Sequence, residues 1–193
     1  ILTGPMYFLL ALILLGVVFA GLYLAYKYRP RPAPPATAGI DLEMTRKLSD
    51  LLEKAADFQE SQQLDEAENA YKEILKLRRQ QAKDKVSHQI DVAVTLNSLG
   101  NLYSDMRKYD LSEAAYAEAL EIYRQRSSEN PAWLPYVGRT LSNFATLFLF
   151  ARKVDQAEKF GGEGVDILRQ CWKENPDRYG NDLAKTLLVL AHV

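Results

Sequence analysis

Few residues of this 193-residue chain have the types and spacing that enzyme chemistry needs. Cys171 is the single cysteine, so it cannot form a disulfide within the chain, and we expect it to be a small buried side chain on a helix. His88 and His192 lie far apart and have no cysteine partners, which argues against a zinc site. The run 161–164, GGEG, lies inside a helical pattern and not after a strand, so it does not predict a nucleotide-binding loop. We therefore predict no catalytic residue, no metal, no cofactor and no enzymatic activity.

Amide and basic side chains offer a different chemistry, the reversible binding of a peptide. An Asn side chain can donate to a peptide backbone and accept from it at the same time. Arg and Lys side chains can bind a carboxylate. Side chains of these types, with a few small polar ones, are distributed over three similar stretches of the chain. The candidate binding residues are Asn97, Asn101, Arg139, Ser142, Asn143, Thr146 and Lys185.

The three stretches that carry these side chains repeat one pattern. Residues 91–103 are DVAVTLNSLGNLY, residues 136–148 are YVGRTLSNFATLF, and residues 182–193 are DLAKTLLVLAHV. Each has Thr-Leu, then Leu or Phe three residues after that Leu, then a small residue. Ala55, Gly100 and Ala145 occupy matching positions, 45 residues apart. Such a period predicts an array of helical repeats.

Each repeat has the pattern of two helices joined by a short polar break. Apolar residues recur at helical spacing on both sides of the breaks, which fall near 60–63, 107–108 and 152–153. Asn-Pro at 130–131 and 175–176 marks two unit boundaries, because Pro cannot continue a helix interior. We place a repeat domain at 41–193, with units at about 41–85, 86–130 and 131–175 and a partial unit at 176–193. We expect Asp41 to cap the first helix and a fourth first-helix to start near Asp182.

This pattern resembles the tetratricopeptide repeat family. The second unit matches the family signature best, at Leu99, Gly100, Tyr103, Tyr109, Tyr116, Ala119 and Leu120. The 45-residue period exceeds the usual length of about 34 and is more similar to kinesin-light-chain-type arrays. The resemblance implies an α-solenoid of antiparallel helix pairs. In the third unit Gly161 replaces an expected aromatic, and with Gly162 and Gly164 we expect it to loosen that helix.

The resemblance also implies binding of other proteins. In this family the concave face lined by first helices commonly binds extended peptides, and the candidate binding residues would face that groove. Some members hold a C-terminal carboxylate with a clamp of Lys, Asn, Asn, Lys and Arg. Asn101, Asn143 and Lys185 match three of these positions, whereas Asn97 and Val189 replace two charged residues. A different peptide or protein ligand in the groove is therefore favoured over the clamp, and plain solvated helix surface remains the alternative.

The N-terminal segment is uncharged and strongly apolar. Residues 7–26 supply about 20 apolar positions, enough to cross a bilayer as a helix, which predicts a transmembrane helix at 1–28. The apolar run is too long for a cleaved signal peptide. Basic residues follow it at Lys27, Arg29 and Arg31, so the positive-inside rule predicts a single-pass membrane protein with a cytoplasmic repeat domain.

Two further features concern this N-terminal region. Gly16 and Ala20 are four residues apart, and small residues at that spacing let membrane helices approach closely, which predicts a helix–helix contact there. Residues 29–40 are rich in proline, which fixes φ and removes hydrogen-bond donors. We therefore predict an extended, semi-rigid linker at 29–40.

Charge excludes one class of partner. The residues after position 40 carry 21 basic and 25 acidic side chains, and a mildly acidic domain is a poor binder of nucleic acid. We predict no nucleic-acid partner and no small-molecule substrate. The expected partners are other proteins, together with a lipid bilayer through residues 7–26.

Two functions agree with this all-α organisation. The first is a membrane-anchored interaction scaffold, a structural or assembly subunit of a larger membrane complex. It is favoured by the strongly apolar last helix, with Leu187, Leu188 and Leu190, which we expect to be covered by further residues of the chain or by another protein. The alternative is a membrane receptor or adaptor that binds extended peptides of soluble clients in the concave groove, which the Asn-rich candidate residues favour.

Overall fold

The structure, a computed structural model, describes residues 37–84 and 88–193. Within these ranges the chain has seven α-helices, one 3-10 turn at Pro131–Trp133 and no strand. The helices are α1 Thr37–Glu60, α2 Leu64–Asp84, α3 Gln89–Asp105, α4 Tyr109–Glu129, α5 Leu134–Phe150, α6 Val154–Glu174 and α7 Pro176–Leu190. Residues Leu42–Val193 form one compact unit. The all-α prediction is confirmed for the part of the chain described.

The helices form successive pairs, as the repeat pattern predicts. Helix α1 packs on α2, α3 on α4, and α5 on α6, and α7 then packs against both α5 and α6. First helices α3, α5 and α7 are also neighbours along one face of the array. We call this the first-helix face.

The turns inside the three pairs have one geometry. Gln62, Arg107 and Arg152 lie 45 residues apart and have φ of 60°, 57° and 58°, in the left-handed region. The next residue closes each turn: Lys108 N donates to Tyr103 O at 2.8 Å, and the third pair repeats this bond at 2.8 Å. This arrangement is the Schellman motif, in which glycine normally occupies the left-handed position. Here three long polar side chains occupy it instead.

Asn-Pro sequences start two of the following elements. Asn130 Oδ1 accepts from the backbone N–H of Ala132 at 3.0 Å, and Asn175 Oδ1 accepts from Arg178 N–H at 3.1 Å. The cap at Asn175 places the start of α7 at Pro176, six residues before the predicted start near Asp182. Helix α1 likewise begins at Thr37, so the predicted cap at residue 41 lies inside the helix.

Small residues set the distance between the paired helices. Ala55, Gly100 and Ala145 of the first helices are all buried. The second helices present small residues at their own 45-residue interval, and these are 0% exposed: Ala67, Ser112 and Ala157. Ser112 Oγ donates to Gly100 O at 2.7 Å, which joins the two sets in the second unit. Close helix packing therefore follows from the small residues that carry the repeat signature.

The Thr-Leu pair of each repeated stretch has a structural role. Thr95, Thr140 and Thr186 are at most 1% exposed, and each hydroxyl donates to the carbonyl four residues earlier at 2.8–2.9 Å. A buried hydroxyl needs such a partner. The Leu that follows is 0% exposed at Leu141 but 43% exposed at Leu187. The last copy is thus packed differently from the earlier ones.

The glycines of α6 lie within an unbroken helix, and their effect on its stability remains a prediction. Helix α6 is continuous over 21 residues. An added Cβ at Gly164 would lie 3.3 Å from Gly138 O and 3.2 Å from Leu141 Cβ, so the two helices touch through backbone. The missing side chains therefore permit close approach of α5 and α6.

The predicted single-pass membrane localisation is contradicted. Among residues 37–84 and 88–193 no helix is both long and apolar enough to span a bilayer. The most apolar of these helices, α5, has only 17 residues and contains Arg139. The stretch 7–26, with Gly16 and Ala20, and most of the predicted linker lie outside the described residues.

Candidate functional site

A pocket of about 330 Å³ opens on the first-helix face. Three first helices and one tyrosine of α4 line it. Five of the seven candidate binding residues are in the lining: Asn97, Arg139, Ser142, Asn143 and Lys185. The other lining residues are Val94, Ser98, Tyr123, Tyr136, Thr140 and Asp182. We call this space the groove pocket.

Two amides from adjacent first helices meet in the groove pocket. Asn143 Nδ2 donates to Asn97 Oδ1 at 3.2 Å, although the residues are 46 positions apart in sequence. The Thr140 hydroxyl lies 3.4 Å from the same oxygen. Both Asn side chains are half-buried. The pair therefore occupies a fixed position between α3 and α5.

Basic side chains lie at the other side of the pocket. Arg139 Nε is 3.7 Å from Asp182 Oδ2, a loose ion pair, and its guanidinium carbon lies 4.4 Å from the Tyr136 ring centroid. Lys185 is exposed and has no ion-pair partner within the described ranges. With two bases and one acid the pocket carries a net positive charge, which favours one carboxylate.

Aromatic rings form the floor of the pocket. Tyr123 and Tyr136 are stacked, with ring centroids 5.4 Å apart and planes at 29°. Trp133 also packs against Tyr136, with ring centroids 5.4 Å apart and planes tilted by 52°. Burial raises the pKa of Tyr123, so its hydroxyl stays protonated at neutral pH. Tyr123 is only 2% exposed, so the apolar surface beside the polar side chains belongs mainly to Tyr136.

Two candidate residues lie outside the groove pocket. Asn101 is exposed, and its Oδ1 accepts a 2.5 Å hydrogen bond from the Tyr116 hydroxyl. Thr146 donates to Ser142 O at 3.0 Å, a backbone bond within its own helix. The structure thus does not bring these two residues together with the other five.

Cys171, His88 and His192 lie outside the groove pocket. Cys171 is 4% exposed, and burial raises the pKa of its thiol, which disfavours the nucleophilic thiolate. No cluster of His, Cys, Asp or Glu side chains that could hold a metal occurs among residues 37–84 and 88–193.

Six lining residues were not among the sequence candidates: Val94, Ser98, Tyr123, Tyr136, Thr140 and Asp182. Asp182 opens the third repeated stretch, at the position of Tyr136 in the second, so the repeat register could have found it. Tyr123 is on a second helix, and no pattern within the first helices points to it. Its place follows only from how α4 packs beside α5.

The fold and pocket define a helical-repeat protein with a polar groove on its first helices. Residues 91–170 match a family model described as a tetratricopeptide repeat, which supports the resemblance seen in the sequence. Repeats of this family are protein–protein interaction modules and are generally not enzymes. No curated protein gave a significant match to the chain. The finer likeness to kinesin-light-chain-type units remains a prediction.

Proposed function

We propose that the chain binds an extended peptide of another protein in the groove pocket. The matched repeats support protein–protein interaction in general, and the finer proposal comes from one observation. The Asn97–Asn143 pair lies in the same pocket as two basic side chains, Arg139 and Lys185. This combination suits a ligand that has both a polar backbone and an acidic group.

The amide pair is suited to a peptide backbone. An extended peptide presents N–H and C=O groups that need partners once water is displaced. The bond between Asn97 and Asn143 uses one oxygen and one N–H, which leaves an amide nitrogen on Asn97 and an oxygen on Asn143. One donor and one acceptor can together serve a single peptide residue.

The rest of the pocket selects the side chains of the peptide. Arg139 is already partly neutralised by Asp182, whereas Lys185 has no such partner in the described part of the chain, so Lys185 is the stronger carboxylate site. The Tyr123–Tyr136 floor fits an apolar or aromatic side chain. A volume of about 330 Å³ holds one or two side chains, so the peptide would extend beyond the pocket along the first-helix face.

A displayed peptide library provides the test. Selection on the full chain should enrich peptides that have an acidic residue near an apolar one. For an enriched peptide, replacing both Asn97 and Asn143 with Ala should weaken binding about tenfold, because each lost hydrogen bond is worth about 0.5–1.5 kcal/mol. Lys185→Ala should remove the preference for the acidic residue.

Asn181→Ala is the matched control, since Asn181 is an exposed amide on α7 that does not line the pocket. Its binding should equal that of the wild type. Enriched peptides that bind the double Asn variant and the Lys185→Ala variant as well as the wild type would refute the groove proposal.

A role as a structural or assembly subunit of a larger complex is the second candidate. The observation in its favour is the exposed apolar surface of α7, where Leu187 and Leu188 are 43% and 61% exposed. Sizing of the complex purified through a tagged chain tests it: a large assembly with stoichiometric partners supports this role, and a single chain alone contradicts it.

A further inference from the structure

Arg139 has a restricted position in the groove pocket. Its guanidinium carbon lies 4.4 Å from the ring centroid of Tyr136, three residues earlier on α5, and an aromatic face attracts a guanidinium. Tyr136 is itself packed against Tyr123 and Trp133, with ring centroids 5.4 Å apart in both pairs. Arg139 therefore lies on a ring that other aromatic side chains hold in place.

An acid of the chain already contacts Arg139. Asp182 Oδ2 lies 3.7 Å from Arg139 Nε, and the Asp182 side chain is 23% exposed. The acids Glu118 and Glu163, which pair with basic residues of neighbouring second helices, are 43% and 41% exposed. Partly buried charges are screened less by solvent ions than exposed charges are. The charge of Asp182 therefore acts on the groove pocket more strongly than that of an ordinary surface acid.

The packing of α7 fixes the backbone at Asp182. Its carbonyl accepts from the Thr186 hydroxyl at 2.8 Å, and Thr186 is 0% exposed. Helix α7 packs against α5, the helix that carries Arg139. Asp182 therefore stays beside Arg139, and only a rotation of a side chain can separate the two charges.

The contact between Asp182 and Arg139 leaves room for a second anion. A separation of 3.7 Å is longer than a hydrogen bond, and it involves only Nε. The two Nη groups of Arg139 form no hydrogen bond within residues 37–84 and 88–193. A carboxylate of the peptide can bind there, but it must then share one guanidinium with the carboxylate of Asp182. Because like charges repel at short range, Asp182 repels a ligand group with two negative charges more strongly than a group with one.

We propose that Asp182 sets the charge specificity of the groove pocket, which accepts a carboxylate of the peptide and disfavours a phosphorylated residue at the same position. A carboxylate has one negative charge, and a phosphorylated Ser, Thr or Tyr has about −1.5 to −2 at pH 7. Asp182 determines specificity because it partly neutralises Arg139 and repels the second charge. The inference rests on the proposed binding of a peptide in the groove, and it adds a form of regulation: phosphorylation of a partner residue that lies in the pocket weakens binding.

A different role for Asp182, that of holding Arg139 in place for the ligand, predicts the opposite sign. If Asp182 positions the guanidinium, its removal weakens the binding of every acidic peptide. If Asp182 competes for the guanidinium, its removal strengthens that binding. The contact of Arg139 with the ring of Tyr136 favours competition, because the ring holds Arg139 without help from an acid.

The test uses a peptide that the library selection enriches and whose binding needs Asn97 and Asn143. A second peptide has phosphoserine in place of its acidic residue. By fluorescence anisotropy, the wild-type full chain should bind the phosphoserine peptide about fivefold more weakly than the carboxylate peptide, the upper end of the effect of an exposed charge pair. Asp182→Asn should bind the carboxylate peptide about threefold more tightly than the wild type does, and should bind the two peptides equally well. In an Arg139→Ala chain, Asp182→Asn should no longer tighten carboxylate binding, because there is no guanidinium to release.

Asp177→Asn is the matched control, since Asp177 is an exposed acid of α7 that does not line the pocket. Its preference for the carboxylate peptide should equal that of the wild type. Asp182→Ser removes the same charge with a smaller side chain and should behave as Asp182→Asn does, and circular dichroism should show the same helix content in all variants.

Three results would overturn the inference and leave the proposed peptide binding intact. They are weaker binding of both peptides by the folded Asp182→Asn chain, an unchanged preference between the two peptides, and a wild-type preference for the phosphoserine peptide. A selection that enriches no peptide dependent on Asn97 and Asn143 would refute the proposed function and this inference together.

Discussion

Lys108 Nζ lies 2.6 Å from Oε2 of Glu68, a carboxylate that belongs to the preceding repeat. Lys72 contacts the other oxygen of Glu68 at 2.5 Å, and the Tyr103 hydroxyl approaches that oxygen at 3.4 Å. Glu68 is only 8% exposed, which is unusual for a carboxylate on a helix surface. The side chain thus connects the first unit to the turn of the second.

Glu68→Gln should destabilise the fold by about 1 kcal/mol, because it removes the charge that two lysines contact and keeps the size of the side chain. Chemical denaturation at pH 7 measures the difference. Glu66→Gln, an exposed acid on the same helix, is the matched control and should change little. Equal stability of the Glu68→Gln variant and the wild type would contradict this role for the carboxylate.

The same residue predicts a pH dependence. Burial raises the pKa of Glu68, but the hydrogen bonds from Lys108 and Lys72 outweigh it and hold the pKa below its usual value of 4.5. A lowered pKa means that the stabilisation is complete above pH 4.5 and is lost as the pH falls through the folded-state pKa. The stability difference between wild type and Glu68→Gln should therefore be constant from pH 6 to 8 and shrink below about pH 4.5. A difference that grows on acidification would contradict this sign.

Arg107→Gly should stabilise the protein. Arg107 has φ of 57° and an exposed side chain, and a left-handed conformation costs a non-glycine residue about 1–2 kcal/mol. Glycine avoids that cost but loses more chain entropy on folding, so the net gain should be about 0.5–1 kcal/mol, measured by thermal unfolding. Glu121→Gly, at an exposed position inside α4, should instead destabilise by about 1 kcal/mol. If both variants destabilise alike, the turn is not strained.

Two glycines should respond to alanine in opposite ways. An added Cβ at Gly162 meets nothing within 4 Å, so Gly162→Ala should stabilise α6 by about 1 kcal/mol. At Gly100 the added Cβ would lie 2.4 Å from the Tyr116 ring, so Gly100→Ala should destabilise by about 1–3 kcal/mol. The urea concentration at the unfolding midpoint of each variant, compared with that of the wild type, measures both effects. A stabilised Gly100→Ala variant would show that the ring moves freely.

Asn101→Ala should lower stability and leave peptide binding in the groove unchanged. The Asn101 side chain accepts from the hydroxyl of Tyr116, whose pKa burial raises, so this donor stays protonated through neutral pH. Loss of the acceptor should cost about 1 kcal/mol, and Asn101→Asp should restore most of it because it keeps an oxygen there. If Asn101→Ala weakens peptide binding without changing stability, Asn101 belongs to the peptide-binding site and this prediction is wrong.

The sequence predicted the helix pairs well because their determinants are local and repeated. The polar breaks near residues 60–63, 107–108 and 152–153 coincide with the turns, and the Asn-Pro boundary at 175–176 precedes α7. Helix starts were less certain, since α1 and α7 begin several residues before the expected positions. The cap at Asn175 determines where α7 begins. The periodicity of apolar residues carries no information about such a cap.

The groove was predictable only in part. Residues one helical turn apart on α3, such as Asn97 and Asn101, look equivalent in sequence, yet only Asn97 lines the pocket. The difference comes from a neighbouring helix, since Tyr116 of α4 occupies the oxygen of Asn101. Tyr123 enters the pocket from a second helix for a similar reason. The extent of the pocket depends on how neighbouring units pack together, and the sequence of a single unit does not determine that packing.

Contacts in the described array join only helices of the same unit or of adjacent units. Each unit is therefore stabilised only by its neighbours, so the effect of a destabilising change at one terminus decreases with each unit along the array. Helix α5 contacts α3 and α4 on one side and α6 and α7 on the other, so its amides should be among the slowest of the described residues to exchange with solvent. The array then behaves as a row of linked segments, in which a segment held from both sides opens only when its neighbours have let go.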